Sequence, residues 1–432
     1  MGTLLHPTRV GISRPERAGR SAAQRLRTVS GWLLAVLVFT VLLVPVLLLP
    51  VSTSVPRWAW ILLLLLDAAL AVWLVRSRSR PARLRAALLA GVAVVAVLAV
   101  AASQVFAATP AIVGADGRPV PGSIASLEKV TLNGTEQWIT IRGEDVGNPV
   151  LLNLGMGGPG GGGFATRSQF EPLERYFTVV SWDEPGTGKS IGAVPFDQLT
   201  KQRFVEDGHA LTEWLLQRFG QQRIFLYGVS WSSILGIWLI QEHPELYAAF
   251  ISSGQMVNAT ENDRLGYRLA LDYSRQRGDQ RTAAKLVVNG PPPYRGPNPA
   301  FRYLDYLDVL NDYMRSPRYA LIVPLIPFFA PEYGLVDKVQ HTRGLIHSFN
   351  AVYPQLADLD FATQAATLHV PVYFFVGRED VNAMAFLVDN YYRQLSAPHK
   401  QLIWLDGGHG LGGSDPRQFI DVMITQVRTM PH

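Results

Sequence analysis

Three apolar stretches crowd the first hundred residues: Gly31 to Pro50, Trp58 to Val75, and Ala86 to about Ala107. No other feature limits the fold so strongly. Each approaches the roughly 20 residues a helix needs to cross a hydrocarbon core of about 30 Å. Almost no polar face interrupts any of them, unlike the one-sided pattern of helices that pack on a soluble core. The first is too long for the apolar part of a secretory signal and is followed by two more. The reading is a basic tail over residues 1–30 and a three-helix membrane anchor over residues 31–107.

Charge gives that anchor a direction. Arg9, Arg14, Arg17, Arg20, Arg25 and Arg27 precede the first span. Arg76, Arg78, Arg80, Arg83 and Arg85 lie between the second and third, whereas the loop between the first two holds only Arg57. Arginine-rich loops stay on the cytoplasmic side. The expectation is therefore a multi-pass plasma-membrane protein with its N-terminus inside and residues 108–432 outside. The run "AASQVFAATP" has small residues that suit a signal peptidase, which leaves release of the outer domain open. Asp67 falls near the middle of the second span. The expectation for it is a protonated acid hydrogen-bonded to a neighbouring helix.

The same arithmetic removes a nucleic-acid reading. Residues 1–106 carry 12 arginines against Glu16 and Asp67, a net of +10, so the whole-chain +5 leaves the remainder at −5. The basic balance belongs to the anchor, and the bulk of the protein is mildly acidic. With 48% hydrophobic and 17% charged residues the chain is not a disordered one. Cysteine is absent, which excludes disulfides, thiolate metal sites and cysteine nucleophiles.

From about residue 125 short β-rich runs alternate with amphipathic helical stretches. "LEKVTLNG" and "EQWITIRG" read as a hairpin turning at Asn133-Gly134. "PVLLNLGM" and "YFTVVSWDEPG" are continuous apolar strands, as a sheet buried on both faces requires. "RIFLYGVS", "AAFISSGQ", "PVYFFVGRED" and "QLIWLDGGHG" supply four more, with helices between them. This pattern predicts an α/β domain with a mostly parallel sheet. Residues 256–365 break the rhythm with helical, Tyr-, Arg- and Pro-rich sequence and read as a helical cap over the C-terminal edge of the sheet, where open α/β folds place their sites.

Four features carry chemistry. Gly228-Val229-Ser230-Trp231-Ser232 stands between the strand "RIFLY" and a helix, the setting in which a sharp turn projects a serine hydroxyl from the sheet. Met156-Gly157-Gly158-Pro159-Gly160 follows the strand "VLLNL", where glycines let backbone N–H groups approach a substrate oxygen. The N–H groups of Gly157 and Trp231 are the expected oxyanion donors. Asp380 comes at the end of "PVYFFVGRED" and His409 after "QLIWLD". Glu379 is a weaker alternative acid, and Asp406 is too close to His409 in sequence to orient it. The string "GTGKS" at 186–190 resembles part of a phosphate-binding loop but has Asp183 where that motif needs glycine, so it reads as a tight loop. No spacing suggests a metal, and no cofactor is expected. Asn133-Gly134-Thr135 and Asn258-Ala259-Thr260 are formal glycosylation sequons.

Taken together, these motifs resemble the α/β-hydrolase superfamily and, within it, the proline iminopeptidase group, over about residues 125–432. That group carries an H-G-G-P-G loop, a D-Q-R-G-x-G-x-S loop, a G-G-S-W-G-S elbow, and late Asp and His residues. Here they correspond to "MGGPG", "DEPGTGKS", "GVSWSS", Asp380 and His409. The departures are Met156 for the loop histidine, Glu184-Pro185 for the Q-R pair, and Val229 and Ser232 for elbow glycines. The resemblance implies an eight-stranded α/β-hydrolase fold with a cap and a serine hydrolase whose triad is Ser230, His409 and Asp380. It also implies acidic cap residues that hold a substrate's free amino group. Glu261, Asp263, Asp305, Asp308, Asp312 and Glu332 are available, with Glu261, Asp263 and Glu332 the named candidates. The expected activity is release of N-terminal residues, often proline, from short peptides. The rivals are a carboxylesterase or lipase acting on esters near the bilayer, kept alive by the apolar run "YALIVPLIPFFAPEY", and a catalytically inert receptor or scaffold.

Overall fold

The computed structural model describes residues 22–77, 80–155, 157–314, 326–410 and 416–431. Most of the basic tail, Arg78, Met156 and part of the apolar run after Tyr319 fall outside them. Three long helices open the chain: α1 (Ala22–Ser52), α2 (Arg57–Arg76) and α3 (Ala82–Val105). All three are long and apolar enough to span a membrane. They pack on one another through Val46, Leu49, Leu63, Val95 and Ala99. Asp67 is buried in this bundle, yet neither carboxyl oxygen has a hydrogen-bond partner among the described residues. The expected bond to a neighbouring helix is thus not made.

An eight-stranded sheet follows, in the order β1-β2-β4-β3-β5-β6-β7-β8. Its strands are β1 (Ile124–Leu132), β2 (Thr135–Gly143), β3 (Val150–Asn153), β4 (Thr178–Asp183), β5 (Ile224–Val229), β6 (Tyr247–Ser253), β7 (Val372–Gly377) and β8 (Lys400–Leu405). β1 and β2 form the expected antiparallel hairpin, with positive φ at Asn133 and Gly134. β2 also runs antiparallel to β4, and every later pairing is parallel. The continuous apolar strands feed two cores, one on each face. Leu152, Val180, Leu226, Phe250 and Phe374 point to one face; Leu151, Val179, Phe225, Ile251 and Phe375 point to the other.

Helix α4 (Lys201–Phe219) is capped by the Thr200 hydroxyl, which accepts from Arg203 N at 3.1 Å, and it stops at the left-handed Gly220. Helix α5 (Trp231–Glu242) starts directly from β5, and all but its last two residues are buried. Between β6 and β7 lie α6 (Ala259–Gln276), α7 (Gln280–Asn289), α8 (Pro299–Tyr313) and α9 (Leu335–Val352). These helices fill the connection between β6 and β7, called the cap below. Helix α10 (Ala385–Gln394) separates β7 from β8.

Candidate active site

Ser230 is the residue between β5 and α5, and it carries φ 57° and ψ −117°. A non-glycine side chain in that region is strained, by an amount of order 1–3 kcal/mol. The turn is held by its surroundings. Ser230 N donates to Ser253 O at 3.2 Å, and a Cβ on Gly228 would collide with the Ser232 carbonyl oxygen. Ser232, which stands where the elbow pattern has glycine, has a function of its own. Its hydroxyl accepts from Val229 N at 2.7 Å and donates to Gly155 O at 2.7 Å, tying the elbow to the glycine loop after β3.

Parallel pairing brings the other strand ends to the same edge. Val229 pairs with Ser253 and Ser253 with Phe375, so Ser230, Gly254 and the turn after β7 are neighbours. Asp380 lies three residues past the end of β7 and is fully buried at its side chain. Asn382 N and Ala383 N each donate to its Oδ1 at 2.9 Å. His409 Nδ1 lies 2.9 Å from Asp380 Oδ2 and 3.1 Å from Oδ1. The imidazole lies close against Gly254: a Cβ there would be only 2.7 Å from His409 Cε1. Gly254 has φ +57° and no side chain, so it both makes the turn and admits the ring. Burial pulls the His409 pKa down, but the charge and hydrogen bond of Asp380 outweigh it and leave the value above that of an ordinary histidine. Among the described residues no hydrogen bond joins Ser230 to His409. Such contacts commonly tighten only when substrate arrives. Glu379 is exposed and Asp406 faces solvent beside Arg378, so neither competes for the imidazole.

The expected oxyanion donors stand at the same edge. Trp231 N begins α5, where a helical N–H has no intrahelical partner. Gly157, with φ +115°, lies two residues beyond the carbonyl bound by Ser232. Leu345 and Phe349 of α9 cover Gly157 and Gly158.

Beneath that loop lies Glu184, which stands with Pro185 where the resembled motif has Q-R. The buried Glu184 accepts from Gly160 N at 2.9 Å, Gly161 N at 3.1 Å and the Trp231 indole N–H at 3.1 Å through one oxygen. Burial outweighs these donors and pushes its pKa up to about 8. The neighbouring Asp183 is pushed to about 7 by burial; it accepts from Tyr333 OH at 2.6 Å and Lys189 N at 3.0 Å. Lys189 in turn pairs with Asp337 of α9 at 2.9 Å. The "GTGKS" loop therefore buttresses the cap. Two acids closing an otherwise apolar strand were the one available signal.

The cap acids separate clearly. Glu261 is half-exposed and pairs with Arg264 at 2.6 Å. Glu332 is buried 2.8 Å from Arg167. Asp263 is buried among tyrosines, accepts from Tyr353 OH at 2.7 Å, and is pushed to about 6 by burial. Tyr353 stacks on Phe349, the residue over Gly158, at 4.8 Å between centroids. Asn262, next to Asp263, bonds Asn382 O and Met384 N in the turn after Asp380. Of the three candidates, Asp263 is the one connected to both sides of the site. Among the described residues no cluster of metal-ligating side chains occurs.

Comparison with known proteins agrees with this architecture. The profile of the alpha/beta hydrolase fold matches residues 148–407, more than half of the chain, and the chain belongs to that family. A probable aminopeptidase of Bacillus subtilis is 29% identical over 287 residues, covering 66% of this chain and 90% of that protein. A putative carbamate hydrolase of Enterobacter cloacae is 23% identical, covering 66% of this chain and 94% of its own. The crystal structure of a proline iminopeptidase-related protein from Thermus thermophilus superposes with a TM-score of 0.50 at 19% identity, over 70% of this chain and 96% of that one. That likeness concerns the fold.

Proposed function

Starting from that family membership, we propose that this chain is a membrane-anchored serine hydrolase, an aminopeptidase that releases N-terminal residues from short peptides. The observation that carries the proposal is the Asp380–His409 pair, set against Gly254 beside the strained Ser230. In this reading Ser230 Oγ attacks the carbonyl carbon while His409 Nε2 takes its proton. Asp380 keeps the other proton on Nδ1 and stabilises the imidazolium. The N–H groups of Gly157 and Trp231 receive the negative oxygen of the tetrahedral intermediate, each worth about 3–4 kcal/mol. His409 then protonates the leaving amine, and water repeats the sequence on the acyl-enzyme.

Two observations favour a substrate with a free amine. The relative named a probable aminopeptidase aligns over nearly its whole length. Asp263 offers a buried carboxylate near the site, and an arriving ammonium would favour its charged form. The rival ester hydrolase draws support from the apolar cover of Leu345 and Phe349 over Gly157 and Gly158.

For the anchor, the aromatic residues add to length and charge. Trp58 and Phe106 meet edge-to-face at one end of the bundle, and Trp73 lies beside Arg76 at the other end of α2. Such residues favour the two interfaces of a bilayer, and 15 helical residues separate them by about 22 Å. The C-terminal ends of α1 and α3 share the Trp58 end, so the hydrolase domain follows on the side away from the basic tail.

The test is kcat/KM on a prolyl anilide, its acetyl-capped form and a short-chain aryl ester, with Ser230→Ala as blank. The proposal expects strong preference for the free amine. Equal or better turnover of the ester overturns the aminopeptidase reading and leaves an esterase.

A further inference from the structure

A groove of about 940 Å³ lies between the membrane helices and the cap. One wall is Leu48 of α1 and Val100 of α3, close to where both helices end; the other is Phe301 of α8 with Val339 and Ile346 of α9. Its size falls in the range of ligand sites, about 300–1,000 Å³. Val339 and Phe301 are 67% and 53% exposed. Val336, 41% exposed, lines the same groove, and exposed apolar side chains grouped in one patch, unlike single scattered ones, mark a contact surface.

The junction around the groove is built rather than incidental. Ser54, in the loop between α1 and α2, donates to Pro331 O at 3.0 Å. Gln104 of α3 donates to Asp337 Oδ1 at 3.0 Å, and Leu335 N donates to Ser103 Oγ at 2.9 Å. These bonds hold the groove open onto the end of the apolar bundle. Arg343, also lining it, is exposed and has no carboxylate within 4 Å among the described residues. A guanidinium in that position suits a phosphodiester.

We propose that this groove binds one acyl chain of a bilayer phospholipid, with Arg343 at the phosphate. The inference rests on the membrane-spanning reading of α1–α3. A wall shared with helices that stand in hydrocarbon makes the groove continuous with the bilayer, so a lipid tail reaches it without crossing water. The consequence reaches the active site through α9. Its face opposite the groove carries Leu345, Ser348 and Phe349, which pack over Gly157, Gly158 and Gly160. A lipid in the groove therefore supports the helix that covers the oxyanion loop, which makes the bilayer a ligand of the hydrolase and not only its mooring.

The full chain would be reconstituted in nanodiscs containing a phosphatidylglycerol with a diazirine in one acyl chain, irradiated, and mapped by peptide mass spectrometry. The proposal expects adducts on residues 335–346 as well as on α1–α3. Val339→Glu should lower the labelling of 335–346 severalfold and leave that of α1–α3 unchanged. Arg343→Ala should lower it for this probe but not for a diacylglycerol carrying the same diazirine. Adducts on α1–α3 with none on 335–346, or labelling of 335–346 that ignores both substitutions, overturn the lipid site while the membrane reading stands. Absence of adducts everywhere overturns both.

Discussion

The two halves of the site are assembled on different principles. On one side, Ser230, Gly254, Asp380 and His409 sit at the ends of adjacent parallel strands, and ladder pairing alone brings them together. On the other side, polar contacts reach across the sequence: Asp183 with Tyr333 over 150 residues, Lys189 with Asp337, Glu184 with the glycine loop, and Asp263 with Tyr353. In the proposed function the strand-end side carries the chemistry. The cap side supports the glycine loop and, in the proposed function, selects the substrate. A fold can therefore hold its reaction constant while buried contacts of this second kind change the substrate.

The sharpest way to break this contrast is at the strand ends. Asp380→Asn keeps the shape but fixes the wrong imidazole tautomer, and kcat should fall by about 10⁴. Circular dichroism should remain native, because the backbone donors of Asn382 and Ala383 keep an oxygen acceptor. Gly254→Ala adds one methyl against His409 and strains a positive φ. Displacing the ring by a fraction of an ångström should reduce kcat by roughly 10²-fold, read by steady-state kinetics.

On the cap side the effects should be smaller and selective. Asp263→Asn should reduce kcat/KM for a free-amine substrate by roughly 10- to 100-fold, the worth of one hydrogen bond to a charged group. The acetyl-capped substrate should be nearly unaffected. An equal loss on both substrates would move Asp263 from substrate recognition to cap packing.

Glu184→Gln should change stability with pH more than it changes rate. The acid is raised by burial to about 8 in the folded protein, above its ordinary 4.5. Between those values the folded state holds a proton that the unfolded state has lost, so Glu184 makes stability fall as pH rises from about 4.5 to 8. Glutamine keeps an acceptor for Gly160 and Gly161 without a titrating proton. Thermal melts of the variant across that range should fall less steeply than those of the parent. Asp183 and Asp263, also raised, leave part of the slope in place.

What the sequence shows plainly is what short range decides. Apolar runs alternating with helical patterns specify the eight strands, and an elbow between β5 and α5 marks Ser230. Chain order marks Asp380 and His409. The cap acids could not be sorted in this way, because Asp263 differs from Glu261 only by which helix face meets Tyr353. Ser232 reads as a tolerated small residue, whereas its hydroxyl joins the elbow to Gly155, 77 residues earlier. Asp67 is the converse case: its position is plain in the sequence, but the anticipated partner is missing among the described residues.

The central claim is that Ser230 is the nucleophile, activated by His409. A fluorophosphonate probe tests it most directly, with the full chain in detergent and the adduct located by peptide mass spectrometry. The account predicts a single phosphonylated residue, Ser230, with labelling abolished in Ser230→Ala and slowed by orders of magnitude in His409→Ala. Labelling that survives Ser230→Ala, or a native chain that does not react, would contradict it.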